Sequence, residues 1–112
     1  MKNRIVIDLP DFSEQELILV RTLCKKAQKT DEITISFSEL RVILEAQSAP
    51  NAIFLENLKN ICSKLLLDFQ IKFKIGKHLG LYYFFITSDI DTNASELTVY
   101  VNPVIFGLLS DK

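Results

Sequence analysis

Glycine is scarce in this chain, and its scarcity removes whole classes of function. The three glycines stand at positions 76, 80 and 107, so neither a dinucleotide fingerprint nor a phosphate-cradling loop can be assembled. Histidine is scarcer still: His78 stands alone beside Lys77 and close to two glycines, without the partners that a metal ligand or general base requires. It reads as a solvated turn residue within reach of phosphate. Only two cysteines occur, Cys24 and Cys62, and both fall on apolar stripes of predicted helices, the pattern of reduced core thiols rather than of a disulfide or nucleophile. Long apolar runs are missing as well. The longest, Leu79 to Ile86, contains Gly80 and two tyrosines and is far too short to cross a bilayer, so no membrane partner is expected. The basic start, Met1 to Arg4, leads into Ile5 to Leu9, which Asp8 interrupts and Pro10 closes. This is not a secretory signal, and a cytoplasmic protein is expected.

One motif imitates a metal site. Asp89, Asp91 and Asn93 alternate like the first ligands of a calcium loop, but Ala94 stands where the sharp turn needs glycine and Tyr100 where the closing carboxylate belongs. The segment reads as an exposed acidic loop. No cofactor, metal or enzymatic activity is expected.

What is present is apolar and unevenly charged. With 112 residues, 48% hydrophobic and including eight phenylalanines, the chain suits one domain with a packed core. The net charge of −1 hides two basic blocks. Met1 to Thr30 carries six basic and four acidic residues, and Asn57 to His78 five and one, whereas the intervening and final segments are acidic. For a phosphate partner, location matters more than the total.

Periodicity gives the elements. Ile5 to Leu9 predicts a short strand. Ser13 caps a helix from about Glu14 to Lys29, with Leu17, Val20, Cys24 and Ala27 inward and Arg21, Lys25 and Lys29 on another side. Ile33, Ile35 and Phe37 alternate as a strand, and Ser38 is placed to cap a helix from Glu39 to about Ala46. After a turn over Gln47 to Asn51, Asn51 is placed to cap a third helix from Ala52 to Leu67 with a broad apolar stripe. The period then switches to two over Phe69 to Ile75, a turn follows from Gly76 to Gly80, and Leu81 to Thr87 predicts a strand apolar on both faces. A loop over Ser88 to Glu96 leads to a strand at Leu97 to Val101. Asn102 and Pro103 then open a helix whose inward residues are Ile105, Leu108 and Leu109. No stop signal ends it, so a longer element is expected there.

A helix, a turn, a second helix and at once a two-stranded hairpin spell an α+β winged helix: a three-helix core with an antiparallel β-sheet wing. In that fold the third helix and the wing face DNA. The candidate contacts are Ser48, Asn51, Lys59, Asn60, Ser63 and Lys64 around the helix, and Lys72, Lys74 and Lys77 on the hairpin. Glu56 lies among them and repels phosphate, and the absence of arginine on this helix rules out bidentate guanine readout from it. If Phe69, Ile71 and Phe73 point into the core, one face of the next strand, either Tyr82, Phe84 and Ile86 or Leu81, Tyr83 and Phe85, is left without obvious cover. Tyr83 and Phe85, with Thr98 and Tyr100 on the last strand, make the candidate dimer interface.

Four segments carry a family likeness: Leu17-Ile18-Leu19-Val20, ITISFSEL from Ile33 to Leu40, the third helix around Leu58, and LTVYVNPVIFGLL from Leu97 to Leu109. On these the chain resembles the N-terminal winged-helix domain of plasmid Rep-type replication initiators, which bind iterons. The resemblance implies a two-domain initiator of which residues 1–112 are the first domain, a role in starting replication at plasmid origin repeats of double-stranded DNA, a homodimer, and a second winged-helix domain of the same protein carrying much of the sequence-specific binding. A winged-helix transcriptional repressor, and a winged-helix domain used for protein interaction alone, share the scaffold.

Overall fold

A computed structural model describes residues 4–8, 11–75 and 77–110; within it, the side chains of residues 4–8, 73–75, 78 and 108–110 are not described. Leu9, Pro10 and Gly76 thus lie outside the described residues. In chain order the elements are β1 (Arg4–Asp8), α1 (Glu14–Lys26), β2 (Glu32–Ser36), α2 (Phe37–Ile43), α3 (Asn51–Leu67), β3 (Gln70–Ile75), β4 (His78–Tyr83), β5 (Phe85–Asp91), β6 (Glu96–Val101) and α4 (Pro103–Ser110).

The first helix begins where the sequence places it. Ser13 Oγ accepts the Glu16 backbone N–H at 3.2 Å and Glu16 Oε1 accepts that of Ser13 at 2.9 Å, a reciprocal cap that satisfies two orphan donors. Leu19, Val20, Leu23 and Ala27 are buried, while Arg21, Lys25 and Lys29 remain outside. The second helix starts earlier than Ser38. Ser36 is its cap, accepting Glu39 N–H at 3.1 Å, because a serine three residues before Glu39 reaches the free amide and Ser38 does not. Phe37 consequently belongs to the helix and meets Phe54 of α3 edge to face, with ring centroids 5.4 Å apart.

Arg41 fixes the turn between α2 and α3. Its Nη1 donates to the Ala46 and Ala49 carbonyls, both at 2.8 Å, its Nη2 donates to Asn51 Oδ1 at 2.7 Å, and its guanidinium carbon stands 4.3 Å from the centre of the Phe54 ring. Glu45 adopts a left-handed φ of 54° within that turn. Asn51 is therefore not the cap of α3 but its first residue, after Pro50, and its side chain is engaged by Arg41.

The strands form two antiparallel three-stranded sheets, ordered β1-β3-β4 and β2-β6-β5. The single strand expected over Leu81 to Thr87 is in fact two, because the chain leaves one sheet at Phe84 and enters the other. The crossing is held by Phe84 N–H donating to the Phe69 carbonyl at 3.1 Å and by Asn102, whose backbone N–H reaches the Phe84 carbonyl at 2.8 Å and whose Nδ2 reaches the Tyr83 carbonyl at 2.9 Å. The loop expected over Ser88 to Glu96 is mostly hairpin. Asp91 Oδ1 accepts the backbone N–H groups of Asn93 and Ala94, both at 3.0 Å, and Ser95 takes a left-handed φ of 56°, so four residues suffice to reverse the chain. The turn between β3 and β4 is tighter than the expected Gly76 to Gly80: His78 and Gly80 already pair with Ile75 and Phe73. At the start of α4, Asn102 Oδ1 accepts Val104 N–H at 3.0 Å, Pro103 is the first helical residue and Ile105 is buried. Leu108 and Leu109, also expected inward, lie among the undescribed side chains.

The core joins Leu19, Leu23, Leu40, Leu58 and Leu65 to Ile33, Leu97, Val99 and a phenylalanine cluster. Phe69 and Phe84 stack at 4.9 Å with planes 3° apart, and Phe85 packs 4.6 Å from Phe84. Both thiols belong to this interior. Burial pushes the Cys24 thiol up to about 11, and burial raises Cys62 too despite the Ser88 hydroxyl, so both are protonated at neutral pH.

Two outcomes follow from these contacts. Arg41→Ala should destabilise the domain by about 2–3 kcal/mol, since three charged hydrogen bonds and a ring contact vanish together; Arg41→Lys should recover little of it, lacking the fork. Urea denaturation midpoints check both. Glu16 is pressed upward by burial, but the Ser13 N–H, Lys64 and the Ser13 hydroxyl outweigh this and hold its carboxyl below the usual value of 4.5. A depressed folded pKa gives stability that is complete above pH 4.5 and lost as pH falls through the folded value. Thermal melts from pH 6 to pH 3 should show that loss, and Glu16→Gln should flatten the acid limb.

Candidate nucleic-acid interface

With the α2–α3 turn pinned by Arg41 and β3 following α3 after Asp68 and Phe69, the third helix and the hairpin β3–β4 are fixed to each other through the core. Sequence position then decides what α3 displays. Leu58, Ile61, Cys62 and Leu65 are buried, while Glu56, Lys59, Asn60 and Ser63 are exposed on the far side.

Lys64 is not part of that display. Its Nζ forms an ion pair with Glu16 Oε1 at 3.0 Å, donates to the Asp11 carbonyl at 3.2 Å and stands 5.7 Å from the Phe12 ring centre, tying α3 to the start of α1. Asn51 is exposed, but its carbonyl oxygen belongs to Arg41. Ser48 is exposed in the turn between the helices. The helix face thus offers Lys59, Asn60 and Ser63, together with the acid Glu56 and two exposed apolar residues, Ile53 and Leu67. A shallow groove of about 420 Å³ runs beside it, its lining including Lys59, Ser63 and Leu66 of α3 and Ser88, Asp89 and Ile90 of β5.

The hairpin supplies the more concentrated charge. Lys72 on β3 and Lys77 in the turn are exposed. Lys74 takes the next same-face position on β3, and its side chain lies outside the described set. Across the ladder, Lys72 is paired with Leu81, Lys74 with Leu79 and Gln70 with Tyr83, and residues directly opposite one another share a face. Leu79, Leu81 and Tyr83 are 76%, 57% and 48% exposed. Sequence reading offered Leu81 and Tyr83 as one of two uncovered faces and missed Leu79, which it placed in the turn. The signal lies in the alternation of His78 to Tyr83, once the strand begins three residues earlier than Leu81.

The four residues expected to form a dimer interface are not brought together. Phe85 has no exposed surface and belongs to the phenylalanine cluster, because the chain crosses between sheets at Phe84 and so reverses the expected alternation. Tyr83 lies on the first sheet, whereas Thr98 and Tyr100 lie on the outer face of the second. That outer face is polar and acidic. Thr34 and Thr98 hydroxyls meet at 3.0 Å, Tyr100 donates its hydroxyl proton to Glu32 Oε1 at 3.0 Å, Asp89 is paired with Thr98, and Asp91 with Glu96. The hydrogen bond to Glu32 and its negative charge push the Tyr100 phenol up.

Among the described residues, no group of three or more His, Cys, Asp or Glu side chains could hold a metal ion, and no helix is long and apolar enough to cross a membrane. The carboxylate of Asp91, the second acid of the apparent calcium motif, accepts the backbone N–H groups of its own turn.

No family model matches the chain, and no curated protein matches its sequence. Among solved structures, the chain is similar to the crystal structure of the MSBI1.176 WH1 domain, a replication protein isolated from a multiple sclerosis patient. The two are 12% identical, with a TM-score of 0.52 over 86% of this chain and 76% of that one. Sequence identity this low speaks to architecture alone, and the architecture is that of an α+β winged helix.

Proposed function

We propose that this chain is the DNA-binding domain of a replication initiator, acting by holding duplex DNA rather than by catalysing a reaction. The observation that carries this reading is the arrangement of cations on the winged helix. Helices α2 and α3 are joined by a pinned turn and followed at once by a hairpin whose lysines sit at same-face positions or at its tip. Lys59, Lys72, Lys74 and Lys77 hold phosphates, and Asn60, Ser63 and Ser48 supply neutral donors beside them. Lys64 orients α3 against α1 through Glu16 instead of reaching DNA. The similarity to a replication protein's winged-helix domain supports the choice of replication over transcriptional repression.

The reading extends to an initiator of plasmid origin repeats in the cytoplasm, to a second winged-helix domain and to pairing with a second copy. It places no interface at Phe85. The acidic outer face of β2-β6-β5 repels phosphate, which leaves DNA contact to the third helix and the first sheet.

The test is a salt titration of duplex binding by fluorescence anisotropy, with origin-type repeats as probe. Four lysine contacts give a slope of about −3.6 in log affinity against log salt, so affinity should fall by about a hundredfold between 50 and 200 mM salt. Lys72→Ala and Lys77→Ala should each flatten the slope by about one unit, while Lys64→Ala should leave it unchanged. No binding at low salt would overturn the proposal in favour of a protein-interaction domain. Light scattering at high micromolar concentration checks the second copy: a strict monomer counts against it.

A further inference from the structure

The first sheet has an open face whose composition is unusual for a surface that only meets phosphate. Register across β1-β3-β4 sets Leu79, Lys74 and Arg4 in one row, Leu81, Lys72 and Val6 in the next, and Tyr83, Gln70 and Asp8 in the third. The edge strand β4 is therefore an apolar ridge, and the central strand beside it is cationic. The ridge is well exposed at Leu79 and Leu81. Edge strands are ordinarily blunted by charge, proline or a bulge. The other three edges of the two sheets follow that rule, with Arg4 and Asp8 on β1, Glu32 on β2, and a register shift plus Asp89 and Asp91 on β5. The six residues of β4 carry no acid, lysine, arginine or proline.

Directly opposed residues on adjacent strands have Cβ atoms only about 5 Å apart. A duplex drawn to this face by Lys72 therefore meets Leu81 beside it, and Leu79 holds the next position on the same face, opposite Lys74 and two residues from Lys77. The two grooves of DNA receive such a face differently. The major groove presents polar base edges that leucine leaves unsatisfied, apart from the thymine methyl. The minor groove is narrow, walled by the carbon faces of the sugars and rimmed on both sides by phosphate, and β-sheet proteins enter it with apolar side chains flanked by cations.

We propose that the open face of β1-β3-β4 is a minor-groove surface for A·T-rich duplex DNA, with Leu79 and Leu81 against the sugar walls and Lys72 and Lys77 on the flanking phosphates. The base preference has a specific cause. The guanine N2 amino group projects from the groove floor into the space an apolar side chain would fill, whereas A·T pairs lack that group and leave the floor open to close approach. This inference rests on the DNA-binding reading above and adds the groove, the base class and the residues that select it.

Three duplexes of one length separate the possibilities: A·T-rich, G·C-rich, and the G·C sequence with inosine for guanine. Inosine removes the minor-groove amino group and leaves the major-groove edge of guanine intact. Binding to the intact chain should be at least tenfold tighter for the A·T and inosine duplexes than for the G·C duplex, and netropsin should displace the protein from the A·T duplex. Leu79→Ala with Leu81→Ala should abolish that discrimination while leaving the salt slope in place, with circular dichroism and the melting midpoint confirming the fold. Lys72→Ala with Lys77→Ala should weaken all three duplexes alike. Inosine behaving as guanine, binding indifferent to netropsin, or leucine variants that retain discrimination would each overturn the minor-groove assignment while the DNA-binding reading stands. Leucine variants that turn a dimer into a monomer without altering DNA affinity would overturn it in favour of a protein contact. Failure of all three duplexes to bind at low salt sinks both.

Discussion

The stacked pair of Phe69 and Phe84 governs how the wing leaves the body of the domain. Phe69 comes directly after α3, and Phe84 stands between β4 and β5, so rings 4.9 Å apart and nearly parallel tie the end of the third helix to the end of the hairpin. A backbone bond from Phe84 to the Phe69 carbonyl closes the same junction from the main chain. Asn102 then secures it from the far side, spending its backbone amide and side-chain amide on two consecutive carbonyls while its Oδ1 caps α4. Phe69 and Phe84 are both buried, and close packing of this kind gives the rings no space to slip. The position of the hairpin relative to α3 depends on it, and so does every functional argument that treats the two as one surface.

A second constraint is the allocation of the polar side chains. Arg41 is engaged by the turn it stabilises, Lys64 by Glu16 and the Asp11 carbonyl, and Asn51 by Arg41. Each would count as a phosphate or base contact if charge or amide character were the criterion. The cations left exposed among the described side chains are Arg21, Lys25, Lys26 and Lys29 in the region of α1, Lys59 on α3 and Lys72 and Lys77 on the hairpin, while the carboxylates Glu32, Asp89, Asp91 and Glu96 gather on the outer face of the other sheet. A nearly neutral chain is thereby polarised, which matters more for an anionic partner than its net charge does.

Much of the architecture was legible because local chemistry and burial agree there. Ser13 and Glu16 form the reciprocal cap that their spacing announces, the stripe from Phe54 to Leu65 is the buried side of α3, and Asn102-Pro103 opens α4 as composition requires. Legibility failed where two local solutions compete. Ser36 and Ser38 are both plausible caps, and only Ser36 has Glu39 three residues on. From Leu79 to Ile86 almost every residue is apolar, so alternation carries no information on which face is buried. That is why Phe85, grouped with Leu81 and Tyr83 on one uncovered face, is found in the core, and why the exposure of Leu79 had no signal in the alternation.

The order of the elements from β1 to β3, the apolar stripe of α3, the caps of α1 and α4 and the lysines of the hairpin were set by the sequence alone, since each depends on residues a few positions apart. The split of the strands into two sheets at Phe84, the capture of Lys64 by Glu16 and the separation of Tyr83 from Thr98 and Tyr100 were decided only by the tertiary structure. These outcomes join residues far apart in the chain, and their free energies depend on what else is buried beside them, which no local pattern encodes.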